Sequence, residues 1–165
     1  MTPARAADAT TQSCARGGDE RWEPCRGAHV LVVDDDVDMR ELLATRLQLV
    51  GCIASPVPSG DEALALLETN DAASTVDLLL IDLRMPGMSG LQVLRRLLRG
   101  RASIPAILMT GFADIDVRVE ALALGIHVLE KPFTLETLRR SLALLLVSNR
   151  LERRLVHFPQ RSSMR

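Results

Sequence analysis

The stretch Leu78-Leu79-Leu80-Ile81-Asp82 constrains the fold more than any other part of the chain. Four consecutive aliphatic residues without alternation read as a strand buried on both faces, as in a parallel sheet. A carboxylate closes the run, and Pro86 and Gly87 force a turn soon after it. An ionised carboxylate at the end of a core strand is costly unless it is partnered. In open parallel sheets the carboxyl ends of strands are also where ligands bind. The question for the rest of the chain is what Asp82 is paired with.

The same pattern, an apolar run followed by polar residues, recurs along the sequence. His29-Val30-Leu31-Val32-Val33 ends in Asp34-Asp35-Asp36. Asp36 precedes a helical stretch and reads as its cap. Asp34 and Asp35 repeat the motif of buried strand into acid. Val37 to Val50 carries Met39, Leu42, Leu43, Leu47 and Val50 at helical spacing, and Gly51 closes it. Cys52 to Val57 is a short strand whose Pro56 points to a sheet edge, where no ladder donor is needed. Asp61 to Glu68 reads as a helix and Asn70 to Thr75 as a loop ahead of the Asp82 strand.

Leu91, Val93, Leu94, Leu97 and Leu98 mark the next helix, ended by Gly100, with Arg95, Arg96 and Arg99 as its solvated face. Ile104 to Met109 is a strand ending in Thr110-Gly111. Asp114 to Leu124 is a helix stopped by Gly125. Ile126 to Leu129 is a strand ending in Glu130-Lys131-Pro132-Phe133. A last helix starts at the Thr134 cap, with Glu136 behind it, and runs past Val147. Five strands alternating with five helices predict an α/β fold, a parallel five-stranded sheet with helices on both faces. Right-handed crossovers and an edge second strand fit the flavodoxin-like (βα)5 order 2-1-3-4-5.

Composition narrows the class. With three Phe, one Trp and no Tyr, aliphatic side chains must fill the core, and 47% apolar residues suffice for that. A net charge of −1 argues for neither nucleic acid nor an acidic membrane surface as partner. There is no apolar signal region and no run of membrane-spanning length, so a soluble, cytoplasmic protein is expected. Cys14, Cys25 and Cys52 show no paired spacing and read as reduced thiols, small buried or tail residues.

Residues 1–27 lack periodicity and read as a disordered leader, with Trp22 a solvated tail residue. The domain is expected over 28–148, and 149–165 as a helix extension and a disordered tail beyond Phe158. The leader and tail read as true termini. Leu144, Val147, Leu151 and Leu155 extend an apolar stripe flanked by Arg150, Arg153 and Arg154. The favoured reading is a slightly long final helix, and the sharper one a dimerising extension. Too little chain follows Lys131 for a helix-turn-helix output domain, and direct DNA binding by so few arginines is not expected.

Parallel strands bring their carboxyl ends to one edge. There the first strand contributes Asp34 and Asp35, the third Asp82, the fourth Thr110 and the fifth Lys131. Three carboxylates against one ammonium leave that edge negative. A divalent, oxygen-seeking cation resolves the repulsion, and Mg²⁺ suits few carboxylates and several waters. Asp82 beside such a metal is placed as a nucleophile toward phosphorus. The metal, Lys131 and the Thr110 hydroxyl supply charge neutralisation to a transferred phosphoryl group.

These stretches together resemble one family. Leu31-Val32-Val33-Asp34-Asp35-Asp36, Ile81-Asp82-Leu83-Arg84-Met85-Pro86-Gly87, Met109-Thr110-Gly111 and Glu130-Lys131-Pro132-Phe133 look like the receiver domain of two-component response regulators, from about His29 to about Ser148. The resemblance implies a stand-alone phosphoacceptor module, not an enzyme with external turnover. Asp82 would take a phosphoryl group from a phosphohistidine of a sensor kinase or phosphotransfer protein. Asp35 and Asp82 would ligate Mg²⁺, with Asp34 holding it through water and the Arg84 main-chain carbonyl completing the set. Thr110 would bind a phosphoryl oxygen, and Lys131 would pair with it. An unidentified output protein would read the switched surface. Such coupling is typically worth about 1–3 kcal/mol.

One position departs from the family pattern. An aromatic residue is usual three residues before the lysine, and this chain has Val128 there, beside His127. Output is then expected to run through His127 or through backbone repacking. Arg84 and Phe112, each two residues past a site residue, are expected to overhang the site and prolong the phosphorylated state. Three other readings compete. A haloacid-dehalogenase-type phosphatase uses the same residue kit but needs a second acid two residues after its nucleophile, where Arg84 stands. A flavin-binding relative would need a phosphate-cradling loop where the three acids lie. A receiver fragment of a hybrid histidine kinase shares every motif.

Overall fold

The computed structural model describes residues 20–68, 75–99, 104–111 and 115–156. The expectations for the first nineteen residues, including Cys14, fall outside the described residues. So do those for Asn70, Gly100, Phe112, Asp114 and the tail beyond 156. Five parallel strands form one sheet: β1 (His29–Val33), β2 (Ile53–Val57), β3 (Leu78–Asp82), β4 (Ala106–Thr110) and β5 (His127–Glu130). Their order is β2-β1-β3-β4-β5, as predicted. The long helices are α1 (Val37–Leu49), α2 (Gly60–Leu67), α3 (Gly90–Arg99), α4 (Ile115–Ala123) and α5 (Leu135–Val156).

The unbroken aliphatic runs become the centre of the sheet. Every residue of β3 and β4 is buried. Alternate side chains serve two cores. Leu31, Val33, Leu79, Ile81 and Leu108 pack with α2, α3 and Ala121 of α4. Val30, Val32, Leu80, Ile107 and Met109 pack with Leu43 and Leu47 of α1 and Leu138, Leu142 and Leu146 of α5. Helices therefore cover both faces. The outer strands β2 and β5 are only partly buried, and Pro56 sits in β2 opposite Val32.

Helix starts follow local hydrogen-bond chemistry. Asp36 caps α1, its carboxylate accepting from the Asp38 and Met39 amides at 2.9 and 3.2 Å. Thr134 caps α5 through the Thr137 amide at 3.1 Å. Ser59 caps α2, so that helix begins at Gly60, one residue before the expected Asp61. Ser89 and Gln92 close a reciprocal capping box at α3: the Gln92 amide donates to Ser89 Oγ, and the Ser89 amide to Gln92 Oε1. On the outer side of α3, Arg95 pairs with Glu120 and Arg96 with Glu68, in keeping with a solvated face.

Two boundaries move. Order begins before the expected residue 28, because Glu20–Cys25 forms a 3-10 helix against α5 and Cys25 is wholly buried. A single small thiol among polar residues gives no periodic signal, so this docking was invisible in the pattern. At the other end, Asn149 of α5 is buried and donates to the Asp77 carbonyl at 3.0 Å, so core contact reaches one residue past 148. Leu144, Val147 and Leu151 are exposed on that helix.

Gly90 sets how closely α3 approaches the strand that carries Asp82. A Cβ there would overlap the Asp82 carbonyl oxygen and press on the Ile81 side chain. Gly90→Ala is therefore expected to destabilise the domain by about 1–3 kcal/mol, the usual cost of overpacking a tight contact. Gly111→Ala, where an added Cβ meets nothing within 4 Å, should change little. Urea denaturation of both variants tests this, and equal midpoints would refute it.

Candidate functional site

The register of the sheet builds the site. Val33 of β1 lies opposite Ile81 of β3, so Asp34 and Asp82 leave the sheet side by side. Both are buried, at 2% and 7% exposure. Lys131 follows β5, two strands away from β3. Its main-chain amide donates to the Thr110 carbonyl at 2.7 Å, which fixes where its side chain departs. The side chain then spans the end of β4. Its Nζ donates to Asp82 Oδ1 at 2.6 Å and to Asp34 Oδ2 at 3.0 Å. The partner sought for Asp82 is thus an ammonium shared with a second buried acid.

The remaining carboxylate oxygens are also held. Asp34 Oδ1 accepts from the Asp36 amide at 3.0 Å, and Asp82 Oδ2 from the Arg84 amide at 2.6 Å. The three consecutive aspartates divide their work: Asp34 points into the site, Asp35 is exposed, and Asp36 caps α1. Arg40 was not singled out from sequence. One turn into α1, its Nη1 donates to the Asp34 and Asp35 carbonyls at 2.7 and 2.9 Å, pinning the acid loop. Gly90 was missed as well, since a close backbone approach leaves no trace in hydropathy. Thr110 is buried at the end of β4, and the Arg84 residue is exposed.

Burial alone would disfavour the Lys131 ammonium. Its hydrogen bonds and charge interactions with Asp82 and Asp34 outweigh that, and hold its pKa above the ordinary lysine value. The donor set around it is oxygen only, with buried acids in excess over the one ammonium. That chemistry fits a hard divalent cation. Among the described residues, no three His, Cys, Asp or Glu side chains stand arranged to hold a metal ion. Lys131 bridges two of the acids, and Asp35 is exposed.

Val128 and His127 face opposite sides of β5, as strand geometry requires. Val128 is half-buried and packs on the core beneath α2, α3 and α4. His127 Nε2 lies 2.9 Å from Ser141 Oγ of α5, and burial lowers its pKa. The imidazole is therefore committed to α5, on the face away from Val128.

Comparison with known proteins agrees with this fold. The family model described as the response regulator receiver domain matches residues 30–143. The C4-dicarboxylate transport transcriptional regulatory protein DctD of Rhizobium meliloti (strain 1021) is 37% identical over 113 residues, 68% of this chain and 24% of that protein. Transcriptional regulatory protein FixJ of Bradyrhizobium diazoefficiens is 37% identical over 106 residues, 64% of this chain and 50% of that one. The chain thus spans between a quarter and a half of the length of these curated relatives. Among solved structures, the receiver domain of Francisella response regulator 1452 matches with a TM-score of 0.67 at 28% identity, covering 74% of this chain and 98% of that one. Chemotaxis protein CheY4 of Vibrio cholerae matches with a TM-score of 0.65 at 28% identity, covering 72% and 98%. The match takes in every strand of the sheet and all of the edge where Asp34, Asp82, Thr110 and Lys131 lie, and on that ground the chain belongs to the response regulator receiver domain family.

Proposed function

We propose that this chain is a phosphoacceptor module in which Asp82 receives a phosphoryl group from a sensor histidine kinase or a phosphotransfer protein. The observation that carries this reading is the Lys131 bridge between the buried carboxylates of Asp34 and Asp82. An Asp82 carboxylate oxygen attacks the phosphorus of a phosphohistidine. The P–N bond breaks, its electron pair stays on the imidazole nitrogen, and an aspartyl phosphate forms. Lys131 is already on Asp82 and turns its ammonium to the incoming phosphoryl oxygens. The Thr110 hydroxyl donates to another of them. Asp35 and Asp82 with the Arg84 carbonyl, and Asp34 through water, would hold Mg²⁺, which when bound neutralises charge on the phosphoryl oxygens.

The aspartyl phosphate carries up to about two negative charges beside the half-buried Lys131 ammonium, and the surface of α4 and β5 repacks in response. With the His127 ring held on α5 and a valine beside it, backbone repacking transmits the signal rather than an aromatic side chain. An output protein reads that surface, and the chain itself contacts no nucleic acid. The described residues contain no helix long and apolar enough to cross a membrane, in keeping with a role in the cytoplasm. The chain catalyses only its own phosphorylation and dephosphorylation.

Incubation with Mg²⁺ and acetyl phosphate, followed by intact mass, tests the central claim. A single phosphoryl adduct on the unaltered chain and none on Asp82→Asn are expected. No adduct on the unaltered chain sinks it.

Lys131 provides a second test through stability. Its raised pKa means the native state holds that proton more tightly than the unfolded chain does. The stabilisation is therefore fully present below the ordinary lysine value of 10.5 and is lost as pH rises through the folded value. Lys131→Met should cost about 1–3 kcal/mol near neutrality, because two buried carboxylates lose their counter-charge. The gap between the two proteins in urea denaturation should then narrow in strongly alkaline buffer. A gap that widens there contradicts the assignment.

The exposed Arg84 side chain, on the residue whose amide holds Asp82, bears on phosphoryl lifetime. Arg84→Ala is expected to shorten the half-life of the adduct several-fold, read as its decay by mass after acetyl phosphate is removed. An unchanged half-life excludes a shielding role.

A further inference from the structure

The described cysteines lie together, away from the phosphorylation site. Cys25 ends the 3-10 helix and Cys52 immediately precedes β2. They are 0% and 5% exposed, within one core cluster shared with α1 and α5. The backbone fixes this closeness on both sides. The Gly27 amide donates to the Gly51 carbonyl at 2.7 Å, and the Ile53 amide to the Ala28 carbonyl at 2.8 Å. These two backbone hydrogen bonds flank the cysteines and bring the two thiols into the same buried corner. The neighbouring Cys52 thiol is the main reason the Cys25 thiol is held below its usual pKa. Burial opposes it, and Arg139 and Arg150 on α5 assist it. The neighbouring Cys25 thiol, followed by burial, raises Cys52. What sets this pair apart from a lone buried cysteine is a second thiol in the same backbone-paired corner, a ready partner for a disulfide.

We propose that Cys25 and Cys52 form a reversible intrachain disulfide when the protein meets hydrogen peroxide. Burial excludes bulky oxidants, so the oxidant in this proposal is a small neutral one. The Cys25 thiolate attacks one peroxide oxygen. The O–O bond breaks, and the departing hydroxide takes a proton to become water, leaving Cys25 as a sulfenic acid. The Cys52 sulfur, giving up its proton, attacks the Cys25 sulfur. The S–O bond breaks, and the hydroxyl leaves with that proton as a second water. Two electrons pass from the thiols to the peroxide, and a thiol reductant reverses the change. The bond closes a loop around β1, the Asp34–Asp36 turn and α1, and ties the 3-10 helix to the start of β2. In a reducing compartment such a bond is transient, as expected of a redox-responsive pair rather than a permanent staple.

The experiment treats the folded full chain with a small excess of hydrogen peroxide, then unfolds it in acid-quenched denaturant with an alkylating agent to block remaining thiols, and maps tryptic peptides without reduction. The expected product links the peptide Trp22–Arg26 to the peptide Leu47–Arg84, with Cys14 recovered alkylated in the peptide Ala6–Arg16. Dithiothreitol should restore both thiols. Cys52→Ser should abolish the link and leave Cys25 as a sulfenic acid, trapped by dimedone when the treated chain is unfolded. In urea the preference for this pair should disappear. The proposal is overturned if Cys25 and Cys52 both remain alkylatable, if the links run through Cys14, or if the same link forms as readily in urea.

Discussion

An ammonium shared by two buried carboxylates is the interaction on which this structure turns. Asp34 and Asp82 come from neighbouring strands whose other residues are almost entirely aliphatic. Without Lys131 the carboxyl end of the sheet would hold two desolvated negative charges about a side chain apart, an arrangement that costs several kcal/mol in a folded protein. Lys131 reaches them only because β5 lies next to β4 and its own amide is tied to the Thr110 carbonyl. Strand order, a single backbone hydrogen bond and one long side chain therefore meet at one point. The same contact leaves a surplus of negative charge, which makes the site receptive to cations.

Around that point the backbone is held more firmly than the side chains suggest. Arg40 clasps the carbonyls of two of the three aspartates, and the Arg84 amide orients the Asp82 carboxylate. Gly90 lets α3 come down on the Asp82 carbonyl itself. Each of these fixes a polar group that a looser loop would leave to water. Preorganisation of this kind lowers the reorganisation a polar group must undergo when charge develops beside it.

Much of this was legible in the sequence, for identifiable reasons. Strands buried on both faces produce unbroken aliphatic runs, so β1, β3 and β4 announced themselves and their terminal residues named the site. Pro56 marked the edge strand because proline lacks a donor. Asp36 and Thr134 were readable as caps from position alone. What stayed hidden depends on contacts between distant segments. The docking of Cys25 under α5, the reach of Arg40 back over its own loop and the close approach at Gly90 have no periodicity to betray them. The relation of His127 to Ser141 likewise needed the helix in place. That Asp34 turns inward and Asp35 outward could not be read from two identical adjacent side chains.

The margins of the sheet bear on how this molecule can meet others. One margin is β2, interrupted by Pro56; the other is β5, only four residues long. Neither offers the regular row of amide donors and carbonyl acceptors on which a foreign strand could propagate. Self-templated growth through the sheet is discouraged at both sides, even though its interior is as aliphatic as an aggregation-prone segment. Recognition is thereby directed to the helical exterior, where side chains rather than backbone decide who binds.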